Sequence, residues 1–385
     1  MTPTLKLYER DSHMKEFDAV VLSCEKREDF FEVILDETAF FPEGGGQSPD
    51  TGRIGDSRVS DVQIKDGIIT HFTDKPLEVG FSYKCEIDWE QRFRRMQNHS
   101  GEHIVSGIIH KLFGYDNVGF HMGHDDVTLD INGLLSEEDI RKVEYLANLA
   151  VSENVRIVCE YPEKDILSAL SYRSKLELTE NVRIVTIEGY DRCACCAPHV
   201  SRTGEIGIIK LLDHSKNRDG TRIHLLCGFD ALRDYDERYH MIAKAAQSLS
   251  VGQNMLGEAL RRLEEEISVL KQKNYELRRE LLSYKVSKIE STDGNICIFE
   301  EECSPNDMRK LMNSCLEKCG GICAVFSGND EKGYTFTAAS GNVKMREVAD
   351  MLRKSFSAKC GGNDEMIQGS ISTEEKEIKN FFGVA

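Results

Sequence analysis

From Leu256 to Tyr284 the apolar residues return at alternating steps of four and three: Leu256, Leu260, Leu263, Ile267, Leu270, Leu277, Leu281 and Tyr284, with Asn274 filling one step. That spacing draws a single narrow stripe along a helix, and charged residues occupy the rest of its surface. A globular core does not read this way. The stretch therefore predicts a coiled coil or a long helical hairpin. Asn274 on the stripe is the kind of buried polar residue that fixes register at some cost in stability. The expected consequence is a homodimer through residues 255–285; the plainer alternative is a long helix packed on its own domain.

The chain has 385 residues, too many for one ordinary core. Its character changes along its length. Residues 1–90 hold short runs rich in β-branched and aromatic residues, "DAVVLSC", "FFEVILD", "GIITHF" and "FSYKCEI". Turn signals such as "PEGGGQSPDTG" separate them, and a small barrel or sandwich is expected. Residues 91–235 read as an α+β unit. A helix begins at Trp89 and stops at Gly114, with Phe93, Met96, Ile104, Val105, Ile108, Ile109, Leu112 and Phe113 largely on one face. A second helix opens at Ser136. Strands follow at "VRIVCEY" and "VRIVTIE", and "EIGIIKLLDHS" with "TRIHLLCGFDAL" reads as a strand pair. Residues 236–290 form the helical linker, and 291–385 a small α/β domain in which "KCGGNDEMIQGSI" supplies a glycine-rich turn. The expected class is a multidomain α+β protein.

No window approaches the eighteen apolar residues of a membrane span, and the N-terminus lacks the pattern of a secretory signal, so a cytoplasmic protein is expected. Thirteen cysteines, an odd and unevenly spaced set, do not read as a disulfide framework. Three of them crowd into "RCACCAPHV": Cys193, Cys195 and Cys196. The net charge of -17 argues against a general nucleic-acid binder. A local basic patch from Arg92, Arg94 and Arg95, with Arg218 and Arg222, is set against a reading as solvated surface charge.

On a helix, His99 and His103 lie one turn apart on one face and can address one ion. Cys195 and His199 repeat that spacing in a turn with Pro198. Three imidazoles and a thiolate form a tetrahedral set suited to zinc. Cys193 and Cys196 compete for the sulfur position, and spacing does not rank the three. His99-Ser100-Gly101-Glu102-His103 also matches H-x-x-E-H, the pattern of a zinc metallopeptidase with Glu102 as base. That reading leaves Cys195 and His199 without a role.

Three stretches occur in one chain in one order: "LDETAFFPEGGGQSPDTG", "NHSGEH" and "CCAPHVSRTGEIG". Together they resemble the alanyl-tRNA editing proteins of the long type. "KCGGNDEMIQGS" is similar to the glycine-rich signature of the DHH-associated domain that ends alanyl-tRNA synthetase. The resemblance covers essentially the whole chain. It implies a β-barrel, a zinc-bearing editing domain, a helical linker and a DHH-associated domain. It further implies hydrolysis of the ester of tRNA(Ala) mischarged with serine or glycine. One zinc per chain would be held by His99, His103, Cys195 and His199, which selects Cys195 among its neighbours. Thr38 matches a threonine that contacts the seryl hydroxyl, and Gly44, Gly45, Gly46 and Gln47 match a loop lining the pocket. The family's C-G-G-T-H reads Cys195-Cys196-Ala197-Pro198-His199 here, so ligand spacing survives while the two glycines and the threonine hydroxyl do not.

A site that must accept serine and reject alanine gains most from groups that hydrogen-bond a hydroxyl, and Thr38 and Gln47 are the expected ones. Four protein ligands close a tetrahedral ion, the pattern of a positioning metal. Glu102 is placed off the ligand face. Gly361 and Gly362 are expected to let backbone N–H groups approach tRNA phosphate. A non-catalytic tRNA-binding dimer with structural zinc is the remaining alternative.

Overall fold

Six strands close into a barrel: β1 (Glu16–Lys26), β2 (Phe31–Leu35), β3 (Gly52–Ile54), β4 (Ser57–Lys65), β5 (Ile68–Thr73) and β6 (Ser82–Ile87). Their order around it is β1-β2-β5-β4-β3-β6. The computed structural model describes residues 2–123, 127–174 and 182–384. Strands β3 and β4 escape the sequence reading. β4 reads "SRVSDVQIK", polar at most positions, and a register shift between Val59 and Asp61 interrupts its alternation. The barrel interior is filled by Val21, Val33, Leu35, Phe40, Ile54, Val59, Val62 and Ile69, none measurably exposed. Closure leaves no free edge in a sheet this small.

The chain leaves the barrel into α1 (Trp89–Phe113), capped by the Asp88 carboxylate on the N–H of Gln91 and ended by Gly114 at φ 71°. This helix departs from the one-sided pattern read from sequence. Every residue from Met96 to Ile109 is buried, polar ones included. The polar residues off the apolar stripe are wired to neighbours. Gln97 donates to the Glu205 carbonyl at 2.9 Å, and Asn98 donates to Asp230 at 2.7 Å and accepts from the Cys227 N–H at 2.8 Å. Arg92, fully buried, bonds the Asp50 carboxylate through Nε at 2.9 Å and the Ala39 carbonyl through Nη2 at 2.5 Å. α1 is thereby fixed to the barrel.

Around α1 stand a four-stranded and a three-stranded sheet. β7 (Asn117–Met122), β8 (Val127–Ile131), β12 (Ile209–Asn217) and β13 (Gly220–Cys227) run in the order β12-β13-β8-β7. β9 (Ile157–Glu160), β10 (Ile184–Ile187) and β11 (Asp191–Ala194) form the antiparallel second sheet. α2 (Glu137–Glu153) starts in a capping box between Ser136 and Asp139, as its sequence predicts. The strand pair expected after the cysteines is present as β12 and β13.

The chain divides into two compact units, Met1–Ala245 and Ala246–Ala385, with the boundary inside α3 (Gly228–Ser248). The second unit begins with α4 (Leu256–Lys288), which buries none of its residues. Its globular part is a five-stranded mixed sheet of β14 (Ile296–Glu300), β15 (Cys323–Asn329), β16 (Gly333–Ala339), β17 (Lys359–Gly362) and β18 (Met366–Ile371). The order is β14-β15-β16-β18-β17, with three helices, Pro305–Leu316, Met345–Phe356 and Glu375–Phe382. Gly361 and Gly362 lie in β17, an edge strand paired to β18, rather than in a turn. They flank a shallow cavity of about 460 Å³ with Asn363, Met366 and Gln368.

Candidate metal centre

α1 carries His99 and His103 into the middle of the first unit, where their rings lie 5.4 Å apart. The other two donors come from the turn after β11. Arg183 fixes that turn by donating through Nη1 to the carbonyls of Cys195 and Ala197, both at 2.9 Å. Ala197 is fully buried and joins the barrel core. Side-chain packing and an arginine thus hold the turn where the related motif has glycines.

One donor atom from each of His99, His103, Cys195 and His199 lies within 4.8 Å of the others. The Cys195 sulfur is 3.5 Å from His99 Nε2 and 3.4 Å from His199 Nε2. These are the edges of a tetrahedron with arms of about 2.0–2.3 Å, as expected for three nitrogens and a sulfur around zinc. Cys196 is exposed and outside the cluster.

Each imidazole has its other nitrogen held. His99 Nδ1 is 2.9 Å from Gln47 Oε1, His103 Nδ1 is 2.9 Å from Asp191 Oδ2, and His199 Nδ1 is 3.0 Å from Ser100 Oγ. Such partners fix the tautomer and ring orientation of a metal ligand. Asp191 is itself gripped by Arg173 through two bonds of 2.8 Å. His103, Asp191 and Cys193 also cluster closely, but Asp191 is already spent on His103 and Arg173.

The electrostatics favour a thiolate at Cys195 and a neutral ring at His199. Burial pushes the Cys195 thiol up, yet the neighbouring imidazoles of His99, His199 and His103 outweigh it, and the thiol sits well below its ordinary range. Burial lowers His199 to about 3, so it is neutral. Burial also opposes a charge on His103, but its bonds to Asp191 and Cys195 win and hold it above its ordinary value.

The cluster stands at a cavity of about 1210 Å³. Lys6, Lys111, Arg173, Arg183 and Arg192 contribute basic groups to its wall, and Phe120, Tyr161 and Tyr172 contribute rings. Four arginines of the expected basic patch are elsewhere and are consumed. Arg92 binds Asp50, Arg94 binds Asp230 at 2.6 Å, Arg95 binds the Pro49 carbonyl at 2.5 Å, and Arg222 binds Asp130 twice at 2.7 Å.

Several expected pocket residues are placed differently. Thr38 is fully buried, its hydroxyl shared between His71 Nε2 at 2.9 Å and the Phe40 N–H at 3.1 Å. It does not line the cavity. Gln47 is also off the wall, and its carbonyl oxygen serves His99. Of the three glycines only Gly45 reaches the wall. Gly45 and Gly46, at φ 63° and 84°, are the central residues of a tight hairpin turn closed by two bonds between Gly44 and Gln47. A Cβ on Gly46 would lie 2.5 Å from the Phe120 carbonyl. Glu102 is outside the four-donor group, as expected, yet it lines the cavity. That group contains no carboxylate, which the metallopeptidase pattern requires as third ligand. Sequence reasoning missed Ser100, Asp191, Arg173 and Arg183. The signals were present, since Ser100 stands inside the H-x-x-x-H and Asp191 four residues before Cys195.

Residues 182–224 match the family described as the threonyl and alanyl tRNA synthetase second additional domain, and residues 9–91 match tRNA synthetases class II (A). Fold and site therefore define a protein of the class built on synthetase accessory domains. The alanine–tRNA ligase of Ignicoccus hospitalis is 33% identical over 98% of this chain, which spans 42% of that ligase's length. The alanyl-tRNA editing protein AlaX-L of Pyrococcus horikoshii is 29% identical over 97% of this chain and 96% of its own length. The alanyl-tRNA editing protein Aarsd1 of Mus musculus is 28% identical over 92% of each. Over nearly its whole length the chain is thus similar to proteins named for alanyl-tRNA editing.

Proposed function

We propose that this protein is a hydrolase that frees tRNA(Ala) from serine, or from glycine, attached in error. The observation that carries the reading is the set His99, His103, Cys195 and His199, braced by Gln47, Asp191 and Ser100 at the wall of a large cavity. The full-length relationship to proteins named for alanyl-tRNA editing supports it.

Zinc would be held by these four residues. When bound it supplies a fixed positive charge at the cavity wall, and four protein donors fill its tetrahedral shell. The remaining work falls to the chain. Rings of Phe120, Tyr161 and Tyr172 offer faces on which an unpaired base stacks. Lysines and arginines of the wall attract the 3′-terminal phosphates despite the acidic chain as a whole. An aminoacyl ester is already reactive, so orienting it against ordered water is the larger part of the task. Gly361 and Gly362 would add a contact to tRNA from the second unit. The chain would pair with a second copy along residues 255–285 and act in the cytoplasm.

The test is deacylation of Ser-, Gly- and Ala-tRNA(Ala) by the purified protein with its metal content measured. Loss of serine while Ala-tRNA(Ala) survives is expected. Equal hydrolysis of all three esters overturns the reading, as does tight tRNA binding without hydrolysis of any.

A further inference from the structure

Among the described residues the cavity wall has four acidic side chains, Glu9, Glu102, Asp116 and Asp191. Three have cationic or histidine partners within the chain. Glu9 pairs with Lys6 at 3.4 Å, Asp116 accepts from His110 at 2.9 Å, and Asp191 is held by Arg173 and His103. Glu102 is different. It is 4% exposed, and its Oε1 accepts from two neutral groups, the Ser106 hydroxyl and the Asn117 amide at 2.7 Å. Among the described residues no cation pairs with it, and no hydrogen bond reaches its Oε2. The Asn117 carbonyl oxygen beside it also lacks a partner. Arg173 on the same wall acts on Glu102 through space, but among the described residues no charged group bonds it, and a carboxylate with so little water gains from a bonded cation. Its second oxygen is therefore open to a cationic hydrogen-bond donor.

Glu102 lies between the two histidines on α1. A Cβ on the preceding Gly101 would stand 2.3 Å from the Cys227 sulfur, so the helix packs closely against β13 here. Ser106, one turn on, and Asn117, at the start of β7, set the plane of the carboxylate.

We infer that Glu102 binds the α-ammonium group of the aminoacyl ester, with its free oxygen accepting from the ammonium. This rests on the editing reading and adds the recognition of the substrate's charged end. Glu102 then acts as a substrate-binding residue and takes no proton from water.

Two esters of the same tRNA(Ala) separate the possibilities, the seryl ester and the glyceric acid ester, in which a hydroxyl replaces the α-ammonium. The metal-loaded wild type should prefer the seryl ester by about 10- to 100-fold in kcat/KM, the value of one charge-assisted hydrogen bond. In Glu102→Gln, which keeps the acceptor for Ser106 and Asn117, that preference should fall to within about twofold, mainly through KM on the seryl ester, with metal content unchanged. Equal wild-type rates on the two esters overturn the inference without any variant. An equal loss on both esters in Glu102→Gln also overturns it, because it assigns Glu102 to proton transfer or to packing. Loss of metal in that variant assigns Glu102 to the metal centre and overturns it likewise. A wild type that hydrolyses neither ester is the separate result that removes the editing reading and this inference with it.

Discussion

Cys195 and Cys196 are adjacent and have opposite environments. The first lies among three imidazoles; the second is exposed and outside the donor group. Cys195→Ala should therefore lose the capacity to bind a metal ion and Cys196→Ala should keep it, read as metal per chain by atomic absorption after incubation with zinc. Gln47→Ala and Asp191→Asn leave the donors in place but free a ring nitrogen, and each should weaken zinc binding by about 10- to 100-fold in a chelator competition. His71 gives a prediction about pH. Burial lowers its pKa from 6.5 to about 4 in the folded protein. Above 6.5 both states are neutral there and the contribution to stability is complete. As pH falls toward 4 the unfolded chain takes up a proton that the folded chain refuses, so stability is lost across that window. The loss is about 3 kcal/mol at most. The slope of denaturation free energy between pH 7 and 4.5 should be shallower in His71→Gln. The H-x-x-x-H and C-x-x-x-H spacings made the four donors readable in the sequence. Which ring each brace holds was not readable, since Gln47, Ser100 and Asp191 meet their rings only across the fold.

The same residue type has opposite consequences in two helices. Gly107 in α1 packs against backbone, and a Cβ there would lie 2.4 Å from the Tyr190 carbonyl. Gly107→Ala gains helix propensity of about 1 kcal/mol but meets atoms that cannot yield, so a net loss of about 1–3 kcal/mol is expected in denaturant melts. Gly257 in α4 has nothing within 4 Å of its added Cβ. Gly257→Ala should stabilise its helix by up to about 1 kcal/mol. Periodicity located both helices, and the bounds of α1 at Trp89 and Gly114 were legible from its caps. Its burial was not. A helix sunk on every side keeps polar residues on its far faces when neighbours satisfy them, and those neighbours are distant in sequence. Strands β3 and β4 escaped for a related reason, because closure of the barrel makes strands of segments with little β-propensity of their own.

At the scale of the molecule, the seam of α4 stands open. Leu260, Ile267, Leu270, Leu277 and Leu281 are each about half exposed, between 49% and 57%. Residues of the same helix toward its end, Leu282 and Val286, pack on the sheet domain instead. Two faces of one helix thus have two uses, and a second copy is the occupant proposed for the open one. In a parallel pair Asn274 meets its own counterpart. Sedimentation should give a dimer, and Leu263→Glu with Leu270→Glu should give a monomer with the melting of the globular units unchanged. Among the described residues no helix is long and apolar enough to cross a membrane.

What this sequence determined by itself was local. Its periodicities set the helices and most barrel strands, its caps set their ends, and two four-residue spacings picked out four metal donors of the right chemistry. Those properties depend on neighbours along the chain. Tertiary structure decided what distance in space decides. It spent Arg92, Arg94 and Arg95 inside the protein, enclosed Thr38 in the barrel, gave Gln47 to His99, and left Glu102 unpaired at the cavity wall. A side chain's role follows from which partners reach it first, and only the folded chain fixes that order.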